Sequence, residues 1–464
     1  MLGFLIGFAV TAAVVWLIVR NYQAQTVLLL AGLVLLGLTV LLVPGGKVLY
    51  PHAKTTGWSG LDVFAYAKGA LSGQTAGIGM LIMAAGGFSR YMDRIGATDT
   101  MVTLCIRPLQ ALKAPYVVLA LGYALGQIFH IFIPSAAGLA MLLLVTFFPT
   151  LVRLGVSEAA AAAMIATTGV MDLGPSSGGT NLAARIVGLS PVDYFVFHQI
   201  PVAVVAWVAI TILTYISARW FDRAAARATA AAPMPAAPAP AAPAQAGREK
   251  RTAPAFYALL PMLPLTLILV FSPLVVGRVR LDVITAMLIG GLVAFGCEIA
   301  VRRDARAAMA GFMAFFQGMG QMFTDVISLL VCASVFAAGL KAVGAVDFLI
   351  AAARASGFGA VPMMLVMAAI VIFTSVITGS GVAAFFSFAP LVPKIASGLG
   401  VSAAKMLLPI QLCAGLGRSA SPVAGVVIAV SGAGRCSTME IVRRTAIPVA
   451  GGILVALALG GALL

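Results

Sequence analysis

Charge is scarce in this chain. Only 9% of its 464 residues are charged, and acidic residues are the rarer kind, 14 against 29 basic. A water-soluble domain carries roughly a quarter of its residues charged, so a soluble fold is excluded. Histidine is nearly missing: His52, His130 and His198 stand in dissimilar contexts. No HExxH accompanies them, so the nucleophile–base pair or metal cluster of an enzyme is lacking and no catalytic residue is assigned. Five cysteines (Cys105, Cys297, Cys332, Cys413 and Cys436) stand singly, without CxxC or Cys/His spacing. They predict neither a metal site nor a disulfide framework, and read as small apolar packing residues. No cofactor is expected.

What abounds is apolar side chain, 62% of the chain. Uncharged runs of about 20 residues, long enough to cross hydrocarbon, recur along it. Spans are expected at 2–19, 25–43, 72–89, 158–190 (interrupted), 194–218, 255–275, 281–301, 322–340, 403–434 (interrupted) and 446–464. Gln321 and Asp325 then begin a span at the interface. The first run could be a cleaved signal peptide, but it lacks a basic start and Arg20 follows it, so a retained helix is expected. The net charge of +15 reports orientation. With the amino terminus outside, 18 of the 29 basic residues fall inside, Arg94, Arg302, Arg303 and Arg306 among them. A nucleic-acid partner is not expected.

The chain also says nearly the same thing twice, about 245 residues apart. FPTLVRLGVSEAAAAAMI from Phe148 returns as APLVPKIASGLGVSAAKMLLPI from Ala389. LGPSSGGTN at Leu173 returns as LGRSASPVAG at Leu416, IPVAVV at Ile200 as IPVAGG at Ile447, and RIGATD at Arg94 as AVGAVD at Ala342. Between the halves lies an Ala/Pro-rich stretch with no helical pattern, read as an extended cytoplasmic linker. Each half then holds five spans, an odd number, so the second enters the membrane from the opposite side. The fold predicted is an all-α polytopic membrane protein of two inverted-topology repeats, with substrate bound where broken helices meet at the midplane.

Two segments fit no simple span. Tyr116–Leu154 is broken by Pro134, Ser135 and Gly138, and Val361–Ala396 by Thr378-Gly379-Ser380-Gly381. Both read as re-entrant hairpins, irregular backbone tolerated only where protein or a water-filled cavity covers it. Two further breaks, DLGPSSGGTN (Asp172–Asn181) and GLGRSASPVAG (Gly415–Gly425), split spanning helices. Gly and Pro end the first half-helix, and the second begins with free N–H groups and its positive dipole end. Such ends beside Ser176, Ser177, Thr180, Ser419 and Ser421 suit a carboxylate, and two of them could hold the ends of a dianion. Gly174, Asn181, Ser135, Thr378 and Ser380 complete the candidate substrate contacts. Arg418, a permanent charge within a span, is a candidate carboxylate ligand or a structural ion-pair member. Asp172 could partner it, carry a coupling proton, help hold Na⁺, or cap a helix. His130 is a candidate proton carrier or a packing residue. The coupling ion, H⁺ or Na⁺, is left open.

The pattern TGSG…F…PLVPK from Thr378, LGRSASPVAGVVIAVSG (Leu416–Gly432) and EIVRRTAIPV (Glu440–Val449) resembles the anaerobic C4-dicarboxylate carriers of the DcuC type. So do TAPAFYALLP and IPSAAGLAMLL, and the likeness covers essentially the whole chain. It implies secondary transport of succinate, fumarate and malate across the bacterial inner membrane, by exchange or cation-coupled uptake or efflux. The wider superfamily it is similar to implies a scaffold holding a mobile, elevator-type transport domain. Two departures stand out. Sodium-coupled relatives carry Ser-Asn-Thr at the hairpin tips, where this chain has Pro134-Ser135-Ala136 and Gly379-Ser380-Gly381; Asp172 stands where an apolar residue is expected. The organisation expected is a first repeat 1–221 (scaffold 1–113, hairpin and break 114–190, closing helix 191–221), a linker 222–254, and a second repeat 255–464 (scaffold 255–356, hairpin and break 357–434, closing helix 435–464). The partners expected are a small organic dianion, the bilayer, and a second copy in a homodimer.

Overall fold

The computed structural model describes residues 2–20, 22–42, 48–51, 53–231, 253–271, 281–345, 348, 351 and 359–464. Among these the chain is all helix, with no strand. The physical reason is the solvent: hydrocarbon offers no partner for backbone N–H or C=O, so each apolar segment must satisfy its own. Nine helices among the described residues are long and apolar enough to cross a membrane.

α1 (Leu2–Val19) and α2 (Ala24–Leu42) fall where the uncharged runs do. α3 (Ser59–Gln74) continues through a π-helical turn, Thr75–Gly79, into α4 (Met80–Ile95), with Gly77 kinked out of helical geometry. Gly96, in the left-handed region at φ 79°, ends α4 and starts α5 (Ala97–Gln110). In the second half a 3₁₀ stretch, Ala255–Met262, leads to α13 (Leu263–Val270), then α14 (Val283–Arg302). α15 (Ala305–Met322) passes through another π turn, Phe323–Ile327, into α16 (Ser328–Ala342). The spans expected at 72–89 and 322–340 are therefore parts of longer helices, Ser59–Ile95 and Ala305–Ala342. Gln321 and Asp325 lie inside the second rather than at its start. The uncharged-run criterion missed α15 because it is amphipathic; its start is fixed by the Asp304 side chain, which accepts from the Ala307 amide at 2.9 Å.

Both expected hairpins are helix–break–helix. α6 (Pro115–Phe132) meets α7 (Ala136–Thr146) across Ile133-Pro134-Ser135, followed by α8 (Phe148–Arg153). α17 (Ala360–Thr378) meets α18 (Gly381–Phe388) across Gly379-Ser380, followed by α19 (Val392–Gly398). The first arms, α6 and α17, are themselves long enough to cross a membrane. The split spans appear as α9 (Glu158–Thr167) with α10 (Gly178–Val187), and α20 (Ala403–Ser419) with α21 (Gly425–Ala433). A short turn of helix, α11 (Pro191–Asp193), and a π turn, Tyr194–Gln199, precede α12 (Ile200–Ala231). α22 (Thr438–Leu463) closes the chain.

One expectation about α12 needs correction. The helix runs on to Ala231, so Asp222 belongs to it and not to a linker; residues 232–252 of the expected linker lie outside the described residues. The closing helices pack on each other and on the hairpin-and-break elements α6, α9 and α20. Buried polar groups explain the choice. Trp207 Nε1 donates to the Ala124 carbonyl at 3.2 Å, and Thr445 Oγ1 to that of Ser419 at 3.2 Å. Asp222 accepts from Arg444 Nη1 at 2.7 Å, Ser157 Oγ at 2.6 Å and Tyr116 Oη at 3.1 Å, while Arg444 Nε reaches Glu440 at 2.7 Å. A charge pair this buried must hold together, because separating its members would strand a desolvated charge.

Candidate functional site

An unwound helix inside a membrane protein leaves backbone groups without partners, and something must satisfy them. Three buried glutamines do so for the first break. Gln127 on α6 donates to the Met171 carbonyl at 2.8 Å. Gln199, in the π turn before α12, accepts from the Gly174 amide at 3.3 Å and donates to Thr180 Oγ1 at 3.0 Å. Gln411 on α20 donates to the Asp172 carbonyl at 3.0 Å and accepts from Tyr194 Oη at 3.1 Å. The two breaks are pressed together: a Cβ on Gly415 would collide with the Val170 carbonyl.

Most of the predicted hydroxyl ligands serve this framework. Ser177 caps α10, accepting from the Thr180 amide at 3.2 Å. Ser135 and Ser380 cap α7 and α18 in the same way, each at 3.1 Å. Ser176 Oγ donates to the Ile131 carbonyl at 2.5 Å, tying the break to the first hairpin tip, against which Gly174 also lies. Asn181 donates to the carbonyls of Pro175 and Ser177 at 2.8 and 2.6 Å. Thr378 donates to the Thr374 carbonyl at 2.7 Å, Ser421 accepts from the Val423 amide at 3.3 Å, and Ser419 is buried. None of these ten residues is among those lining the cavity described next.

That cavity, about 70 Å³, lies between the first hairpin, the first break, α18 and α20. It is several times larger than one water needs. Its polar wall is His130, Asp172, Gln411 and Arg418; Phe385 and Phe386 are its apolar wall. The structure thus brings together the three ionisable residues singled out by sequence. Gly169 makes this possible. Its φ of +76° suits a residue without Cβ, and a Cβ there would meet the His130 ring at 2.9 Å. Its carbonyl accepts from Arg418 Nη2 at 2.9 Å. No carboxylate among the described residues lies within ion-pair distance of Arg418, and most of its donors remain for a ligand. Asp172 accepts from the Gly179 amide at 3.0 Å, so the start of α10 already holds one carboxylate, the protein's own. The His130 ring is buried, and its Nδ1 has no protein partner. Sequence reasoning missed the glutamines, whose signal was an isolated amide in an otherwise apolar helix.

Broken helices around a small cavity lined by an arginine that no carboxylate among the described residues contacts as an ion pair, inside a bundle of membrane-crossing length, define a transporter rather than a soluble binding module. Similarity to known proteins makes the class specific. The chain belongs to the C4-dicarboxylate anaerobic carrier family, DcuC, which matches residues 2–460. It is 34% identical over 453 residues to the anaerobic C4-dicarboxylate transporter DcuC of Escherichia coli K12, covering 97% of this chain and 94% of that protein. The Shigella flexneri DcuC gives the same figures. Among solved structures, the YdaH transporter of Alcanivorax borkumensis, described as having an unusual topology, superposes with a TM-score of 0.60 at 17% identity, covering 94% of this chain and 97% of that one; it supports the fold alone. The chain is a multi-pass protein of the bacterial inner membrane.

Proposed function

We propose that this protein is a secondary transporter of C4-dicarboxylates such as succinate, fumarate and malate, with Arg418 as the ligand of one substrate carboxylate. The observation that carries the reading is Arg418 itself, a guanidinium lining a cavity between two broken helices, held by one carbonyl and by no protein carboxylate. A charge in that position is expensive unless an anion completes it. Gln411 and the hairpin tips are the partners for the substrate's other end. Asp172 and His130, beside Arg418, are the proton-carrying pair in this reading, which makes the coupling ion H⁺. Protonating Asp172 would remove the negative charge that competes with substrate for the guanidinium.

The body that moves is taken as the hairpins and breaks, 114–190 and 357–434, together with α12 and α22, which pack on them. The scaffold is then α1–α5 and α13–α16, in two repeats of inverted topology. A fixed scaffold needs a broad anchor, which a second copy bound through those helices supplies. Uptake of labelled succinate into proteoliposomes, competed by mono-, di- and tricarboxylates with and without an imposed pH gradient, tests the reading. Saturable counter-transport selective for four-carbon dianions is expected. Uptake indifferent to dianions would remove it, and flux that never saturates would favour a channel.

A further inference from the structure

The two π turns stand at matching places in the two halves of the chain. Thr75–Gly79 and Phe323–Ile327 are set apart by the same separation as RIGATD at Arg94 and AVGAVD at Ala342, so Gly77 and Asp325 occupy the same position, third in each turn. The turns touch each other: a Cβ on Gly79 would meet Ile327 Cγ2 at 3.2 Å. Their surroundings differ. The first turn is covered by α10, which packs against it and against α4. Arg185 of α10 lays its guanidinium on Gly77, in the space a Cβ there would fill, and Gly178 at the start of α10 faces Ile82. The second turn is bare: Gln321, Phe323, Thr324 and Asp325 are all exposed.

α10 has a counterpart too. α21 follows the second break as α10 follows the first, and both end at a capping glycine, Gly188 and Gly434. Counting back from those glycines pairs Leu182 with Ile428 and Arg185 with Ser431. Leu182 is 4% exposed, whereas Ile428 is 53% exposed. α21 packs on α7, α9 and α22, within the moving body of the transport reading, and this face of it stays uncovered. Asp325 gives the second turn its own need for a partner. It lies near the middle of the Ala305–Ala342 span, where a carboxylate facing hydrocarbon is costly. Gln321 Nε2 donates to one of its oxygens at 3.0 Å and Gln321 Oε1 accepts from Arg90 Nη1 at 3.2 Å, an exposed polar row at membrane depth. Such a face must meet water or protein. The protein that fits is the helix standing to this turn as α10 stands to the first.

We propose that the second π turn is a docking surface for α21, occupied in the opposite state of the transport cycle, when α10 has left the first turn. Ser431, whose hydroxyl donates to the Ile428 carbonyl at 2.8 Å in the state seen, then turns it to the Asp325 carboxylate, and Ile428 is buried against the turn. The two stations are complementary in shape. A long guanidinium meets a glycine at the first, and a carboxylate meets a short hydroxyl at the second. Between dockings, water in the crevice keeps Asp325 solvated. The inference rests on the inverted repeats and the moving body proposed above, and not on the identity of the substrate.

Paired cysteines in a cysteine-free full chain, reconstituted in proteoliposomes, test it. Gly77→Cys with Arg185→Cys reports the contact present in the structure, and Asp325→Cys with Ser431→Cys the one inferred. A short bis(methanethiosulfonate) reagent should link each pair within one chain, read by mass after proteolysis. Each link should abolish succinate counterflow until a reductant removes it. A first pair that links while the second does not would overturn the proposal. So would a second-pair link that joins two chains, since the face would then belong to another copy. Both links formed in a protein without succinate counterflow before linking would count against the substrate reading and leave this docking surface standing.

Discussion

Replacing Arg418 by alanine removes the guanidinium from the cavity and frees the Gly169 carbonyl that it holds at 2.9 Å. Two effects follow, and they can be told apart. The carbonyl loses one hydrogen bond, a structural loss of about 1 kcal/mol that does not depend on substrate. The substrate loses a charge-assisted hydrogen bond, about 1.5–3 kcal/mol, or roughly 10- to 150-fold in affinity. Only the second depends on the ligand's charge. Succinate binding should therefore weaken more than that of its monoamide, which already lacks one carboxylate. Arg418→Lys keeps the charge without the planar fork and should fall between wild type and alanine. Binding is measured by scintillation proximity on purified protein, with thermal melting as the check on folding. Equal weakening of succinate and monoamide, or unchanged succinate binding in a folded variant, would refute the reasoning and leave Arg418 a structural residue.

Ser177→Ala should lower stability by about 1 kcal/mol through the lost α10 cap, and transport assays should show succinate and its monoamide affected alike. Asp222→Ala leaves the Arg444 guanidinium, which is 8% exposed, with Glu440 as its remaining carboxylate; a loss of about 1.5–3 kcal/mol is expected in denaturation of the detergent-solubilised protein, and Arg444→Met with Asp222→Leu should recover much of it. Gly415→Ala drives a methyl into the Val170 carbonyl; it should cost about 1–3 kcal/mol and abolish succinate counterflow. Asp172→Asn should leave substrate binding in place while removing the response of uptake to a pH gradient. Single cysteines at Gln245 and Gly277, in a cysteine-free background, should label from opposite sides of the membrane; labelling from the same side would sink the inverted repeat.

How far the sequence could be read depended on the kind of signal each feature leaves. α1, α2 and α14 are uncharged runs of membrane length, and they stand where expected. The breaks after Thr167 and Ser419 were visible because glycine, proline and serine cluster where a helix would otherwise continue. Arg418, Asp172 and His130 were visible as ionisable residues in apolar surroundings, and the fold gathers them around one cavity. α15 was not visible, since its polar face hides it from a search for uniform hydrophobicity. The capping roles of Ser135, Ser177 and Ser380 could not be separated from ligand roles, because a hydroxyl at a half-helix start suits both equally. Gln127, Gln199 and Gln411 bond to chain far away in sequence, and no local pattern announces such a partner.

Those glutamines bear on how fast and how selectively such a site can work. A loop that folds around its ligand must surrender backbone freedom at each encounter, of order 1 kcal/mol for every residue it orders. Here the irregular stretch from Met171 to Gly174 is already bonded to three side chains. An arriving anion has little disorder to remove, so its affinity can stay moderate while its fit stays demanding, and release need not wait for a loop to melt. Discrimination between a four-carbon dianion and a shorter or longer one then becomes a matter of rigid distance, set by how firmly an amide on a neighbouring helix grips a carbonyl.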